Sequence, residues 1–136
     1  MSDPVFLTGE CFCGAVRYQI SAPLKSAQMC HCSRCRKAFS GAGSAMAGVT
    51  PGSFSWLEGE AQLNLYEGRH GYGIAFCRTC GTTLCGTNRG EVMGITLGTL
   101  NENSSVKIAR HIFVGSKADW DEIGGDAPKF DGAVDT

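Results

Sequence analysis

The residues best suited to chemistry are Cys30-His31-Cys32-Ser33-Arg34-Cys35. Three cysteines within six residues are denser than packing requires. A C-x-C step is too short for an unstrained disulfide between its own ends, so Cys30 to Cys32 is a poor bridge. A chain that bends after Cys32 aims all three sulfurs at one point. Zinc held there would have three thiolates and a fourth tetrahedral position left for water or substrate, the pattern of a catalytic rather than a closed site. A reduced thiol cluster, or one half of a disulfide framework, is the alternative reading of the same spacing.

Two further half-sites frame this group. In Cys11-Phe12-Cys13-Gly14 an extended chain would project both sulfurs to one side, with Gly14 turning the backbone around an ion. Two small buried hydrophobes on a strand face would also satisfy that spacing. Cys77-Arg78-Thr79-Cys80-Gly81 has the form of a zinc knuckle, with a glycine able to take positive φ after the second sulfur. Two ligands from each half-site complete a closed, structural set of four, leaving Cys30, Cys32 and Cys35 as the open set. A redox C-x-x-C would call for a βαβ pattern or a helix start, and neither follows. Cys85, the eighth cysteine, is expected to be a buried thiol on a strand.

The rest of the sequence bounds the partners. Arg34, Arg36 and Lys37 gather beside the open set, where cations can lower thiolate pKa values and dock an anionic substrate. His31 lies close enough to the cysteine loop to move a proton. His70 and His111 are expected to be packed or surface residues. The formal net charge is −1, so the chain lacks the basic field that drives phosphate binding, and nucleic acid is not an expected partner. The start carries no signal-peptide pattern, and no apolar run approaches a membrane span. A cytoplasmic protein is therefore expected, in which clustered cysteines hold metal or do chemistry rather than pair.

The supporting elements read as strands. At 136 residues with 19 glycines, the chain is expected to be one mainly β domain over 1–136, with its core over about 10–123. Val16, Tyr18 and Ile20 alternate with Arg17 and Gln19 between Gly14 and Ser21. Further strands are expected at Met46 to Val49, Phe54 to Leu57, around Leu63 and Leu65, and over Tyr72 to Phe76. The series continues around Cys85, over Val92 to Leu97, and over 106–114, with an irregular lead-in at 1–9 and residues 24–29 leading into the cysteine loop. Ser116-Lys117-Ala118-Asp119 has the form of a helix cap, so one short C-terminal helix carrying Trp120 and Ile123 is expected before Gly124-Gly125. Asp126 to Thr136 has few anchors and is expected to be partly mobile.

At this point the chain resembles the glutathione-dependent formaldehyde-activating enzymes. The likeness rests on Cys11-Phe-Cys-Gly-Ala-Val-Arg-Tyr, Cys30-His-Cys-Ser-Arg-Cys-Arg-Lys, Phe76-Cys-Arg-Thr-Cys-Gly and His111-Ile-Phe-Val-Gly-Ser-Lys-Ala-Asp-Trp. Glu10, where a glycine is usual, and the extra Cys85 depart from the pattern. The resemblance implies a β-tent of small antiparallel sheets. It implies a structural zinc on Cys11, Cys13, Cys77 and Cys80, and a catalytic zinc on Cys30, Cys32 and Cys35. It also implies a carbon–sulfur lyase acting on S-hydroxymethylglutathione or a related thiol–aldehyde adduct, with Arg34, Arg36 or Lys37 gripping the carboxylates of the thiol. A non-catalytic zinc-stabilised binding module, and a thiol-redox or metal-transfer protein, are the alternatives that the same cysteines leave open.

Overall fold

The computed structural model describes residues 6–134. In chain order the elements are Leu7–Glu10 (β1), Arg17–Ile20 (β2), Ala27–Cys30 (β3), Ser33–Phe39 (α1), Ser44–Gly48 (β4) and Phe54–Glu58 (β5). Leu63–Glu67 (β6), Tyr72–Cys77 (β7), Thr83–Asn88 (β8), Glu91–Thr96 (β9) and Ile108–Ile112 (β10) follow, with short 3-10 turns between some of them. The described chain is mainly β with open sheets and one α-helix. It divides into two compact units, one built from the residues up to Lys25 with Ala47–Ser105, the other from Ser26–Met46 with the residues from Val106 onward.

In the first unit β1, β2 and β5 form an antiparallel sheet, with Gly9 opposite Tyr18 and Tyr18 opposite Trp56. The expected alternation holds: Val16, Tyr18 and Ile20 are fully buried while Arg17 is exposed. Each such side chain contributes about 1.5–3 kcal/mol by leaving water. Tyr18 stacks on Phe54 at 5.2 Å and meets Trp56 edge-on at 6.3 Å. Its hydroxyl pairs with Thr99 Oγ1 at 2.7 Å, which removes the cost of burying it. β6 to β9 form an antiparallel meander in which Ala75 faces Cys85 and Cys85 faces Ile95. Leu84, Cys85 and Ile95 are buried there, and Leu84 and Ile95 join the core that also holds Cys11 and Cys77.

In the second unit β3 runs parallel to β10, with Met29 opposite His111 and Cys30 opposite Ile112. This corrects the expectation of antiparallel sheets alone. β1 begins within the lead-in expected to be irregular, β3 occupies the stretch read only as leading into the cysteine loop, and the expected 106–114 strand narrows to Ile108–Ile112, ended by Phe113 at φ 56°.

The helix is the main correction. It lies at Ser33–Phe39, within the cysteine loop, and not after Ser116. There the chain makes a 3-10 turn at Val114–Ser116 and then turns again, with Lys117 Nζ donating to the carbonyl of Asp121 at 2.8 Å. A seven-residue helix is too short to stand on its local cap signal, so tertiary bonds decide. Those bonds also tie down the segment that the sequence left without anchors. His111 N donates to Pro128 O at 2.8 Å, Phe130 N to His111 O at 2.9 Å and Val114 N to Phe130 O at 3.0 Å.

Candidate metal centres

The first centre is made by two turns of the first unit. Cys11 and Cys13 do not share a strand face as expected; they sit in the tight connection between β1 and β2. Cys11 N donates to Val16 O and Gly14 N to Cys11 O, so the chain folds back on itself around the sulfurs. The second pair lies where β7 ends, with Gly81 N donating to Cys77 O at 2.7 Å. Gly14 and Gly81 have φ of 80° and 83°, the left-handed backbone that glycine adopts without strain.

The four sulfurs lie within 4.8 Å of one another. Cys11 and Cys13 Sγ are 3.6 Å apart, and Cys13 and Cys77 Sγ 3.8 Å. A tetrahedron with zinc–sulfur bonds of about 2.3 Å has edges of about 3.8 Å, so the donor set fits that ion. Val16 N–H points at Cys11 Sγ at 3.3 Å, which fixes that sulfur against the turn. Thr82 ties the two turns together: its hydroxyl oxygen accepts from Phe12 N at 3.0 Å and pairs with Cys80 Sγ at 3.3 Å. That hydroxyl does most to hold Cys80 down at about 5. Cys13 is drawn down by the Ala15 backbone, yet burial and its neighbours Cys11, Cys80 and Cys77 push it up to about 11. Four sulfurs this close cannot all ionise without a cation among them.

The second centre lies wholly in the other unit. β3 delivers Cys30, and Cys32 caps α1, its sulfur accepting from Cys35 N at 3.3 Å. Cys35 sits in the first turn of the helix, and the three sulfurs lie within 4.8 Å of one another. Gly43 presses on the same segment: a Cβ there would come 2.3 Å from Cys30 O. Hydrogen bonding with Cys30 holds Cys35 down at about 5, helped by Ser44, Cys32 and the Arg34 charge, while the same bond pushes Cys30 up. A dication held among the three sulfurs would favour the thiolate form of each ligand. All eight cysteines are free thiols.

A family model described as glutathione-dependent formaldehyde-activating enzyme matches residues 6–116. The chain belongs to that family. Among solved structures, a Rhodobacter sphaeroides protein shares the fold at a TM-score of 0.60 and 24% identity, over 90% of this chain and 98% of its own. No curated protein matches the chain.

The span matched to the formaldehyde-activating family contains all seven clustered cysteines. It also contains the three cations, which α1 carries. Arg34 and Lys37 are exposed; Arg36 is partly engaged, its Nε donating to Ser116 O at 3.3 Å. Cys85 is buried on β8, away from both sets as expected, and burial pushes its thiol up to about 12.

The sequence missed a pairing of histidines. His31, only 2% exposed, brings Nε2 to 2.9 Å from Nδ1 of His111, and Asp121 Oδ2 lies 4.0 Å from its Nδ1. Burial above all lowers the proton affinity of both rings. Only the position of His31 between two cysteines hinted at this, since nothing in the spacing connects residues 80 apart. No helix among the described residues is long and apolar enough to cross a membrane.

Proposed function

We propose that this chain is a zinc-dependent carbon–sulfur lyase acting on adducts of glutathione, or a related small thiol, with an aldehyde of the formaldehyde type. One observation carries the reading: beside a set of four convergent sulfurs stands a set of only three, with no fourth Cys, His, Asp or Glu completing it among the described residues. Membership of the formaldehyde-activating family supports the thiol and the aldehyde.

Cys11, Cys13, Cys77 and Cys80 would hold a structural zinc, and Cys30, Cys32 and Cys35 a catalytic one. Bound there, zinc supplies a site that favours a substrate sulfur as thiolate. The chain's own residues do the rest. Arg34 and Lys37, three apart on one exposed helix face, meet the carboxylates of the thiol, with Arg36 held to Ser116 behind them. In the lyase direction the carbon–sulfur bond of the adduct breaks and the adduct hydroxyl becomes the carbonyl. The electron pair of that bond leaves with sulfur, the hydroxyl proton ends on the released sulfur, and thiol and aldehyde are the products; the reverse reaction forms the adduct.

Replacing Cys32 by Ser tests this. Adduct cleavage and formation should both fall by at least about 100-fold in kcat/KM, with the four-sulfur ion retained. Unchanged turnover would remove the site from the reaction. A thiol-redox or metal-transfer role is the second reading, favoured by three free thiols whose sulfurs lie within 4.8 Å of one another. It requires reversible oxidation within Cys30–Cys35 under mild oxidant, without lyase turnover.

A further inference from the structure

The histidine pair has no part in the reaction as written above, yet it is built into the three-sulfur loop. His31 stands between Cys30 and Cys32 and is almost wholly buried. Its backbone N donates to Ile112 O at 3.0 Å, and its ring meets the His111 ring with centroids 5.1 Å apart. His111 is itself held on both sides. β10 pairs it with Met29 on one edge, and the Pro128 and Phe130 backbone bonds hold it on the other.

The 2.9 Å Nε2–Nδ1 contact requires one ring to donate and the other to accept. The opposite nitrogen decides which. His31 Nδ1 is buried with no hydrogen-bond partner among the described residues, and the nearest carboxylate oxygen, from Asp121, is 4.0 Å away. A lone pair facing that carboxylate would be repelled, whereas an N–H is attracted and can reach it through a water. With an N–H at His31 Nδ1, the arrangement that the facing carboxylate favours, Nε2 is left to accept.

We propose that His111 is a positioning residue for the three-sulfur centre: its Nδ1–H donates to His31 Nε2 and holds the Cys30–Cys32 step in the shape that keeps its sulfurs on one ion. The proposal rests on the reading that Cys30, Cys32 and Cys35 hold a metal. Its physical basis is the general one that groups orienting ligands from behind tune a metal site almost as strongly as the ligands do.

The test uses the full chain with His111 replaced by Phe, Asn or Asp. Cobalt is loaded at both centres, and each affinity is read from the thiolate charge-transfer band during chelator competition. His111→Phe and His111→Asp should weaken the three-sulfur centre by about 10–100-fold and alter its band. His111→Asn, whose amide N–H can stand where Nδ1–H stands, should restore affinity to within about threefold of the parent. The four-sulfur centre should not change in any variant. Nitrogen-15 spectra of the metal-free parent should show both rings protonated on Nδ1.

An affinity within twofold of the parent for His111→Phe would overturn the proposal. So would Asn behaving like Asp, or a His111 ring without a proton on Nδ1. If His111→Phe does not fold, the Asn and Asp pair decides alone. A parent chain that holds a single ion, on the four-sulfur set, would instead sink the reading of the previous subsection and this proposal with it.

Discussion

Thr82 shows how much of a sulfur cluster is held in place by residues outside it. One hydroxyl accepts the Phe12 N–H and pairs with Cys80 Sγ, so it joins two turns and favours a thiolate at Cys80. Thr82→Val keeps the shape and removes both bonds. It should cost about 1–3 kcal/mol in denaturant unfolding, because the Phe12 N–H loses its partner and so does Cys80 Sγ. Cys85→Ser, in contrast, should leave both metal affinities unaltered, since that thiol lies outside both sets. The three cysteine groups were legible from their C-x-C and C-x-x-C steps, whereas the joining of Cys11 and Cys13 to Cys77 and Cys80 came from counting ligands, since no spacing connects residues 64 apart. Thr82, His111 and Asp121 were not. A hydroxyl or a ring acquires its role only when folding brings a distant partner to it.

Elements were legible where alternation is strong and illegible where pairing is remote. β2 announces itself through Val16, Tyr18 and Ile20, all buried. α1 is hidden because its cap is a sulfur, Cys32, rather than one of the oxygen side chains that mark helix starts. β1 is four residues long and has no apolar alternation, and its exposed side is covered from elsewhere in the same unit. Leu100 bridges Gly9, Asn101 N donates to Thr8 O at 2.9 Å, and the Glu102 carboxylate accepts from both the backbone and the hydroxyl of Thr8. Such a clasp blunts a sheet edge that would otherwise invite pairing.

The two Thr8 bonds, hydroxyl first, hold the Glu102 carboxyl below the usual range. Its contribution to stability is therefore fully present above the unfolded value of about 4.3 and disappears as pH falls through the lower folded value. Glu102→Gln should be less stable than the parent at pH 7, and the gap should close on acidification. Thermal unfolding between pH 7 and pH 3 checks this; a gap that widens in acid would contradict it.

At the scale of the whole molecule, the two thiolate sets belong to different compact units, so each can be emptied on its own terms. A closed shell of four exchanges slowly and an unfinished one quickly. With zinc loaded at both sets, titration with a chelator should thus remove the ion at Cys30, Cys32 and Cys35 first, with little change in melting temperature. Loss of the second ion should then lower the melting temperature sharply, because metal binding there is also folding energy. Simultaneous loss of both ions would argue that neither shell is open.

The parallel pairing of β3 with β10 has a consequence for how the protein is made. His31 and the strand that steadies it are 80 residues apart. At translation speeds of about 5–20 residues per second, the nascent Cys30-His31-Cys32 segment waits roughly 4–16 s for that strand to be synthesised. During that interval the segment has Gly43 and β4 already made beside it, but neither β10 nor the His111 ring that completes its surroundings.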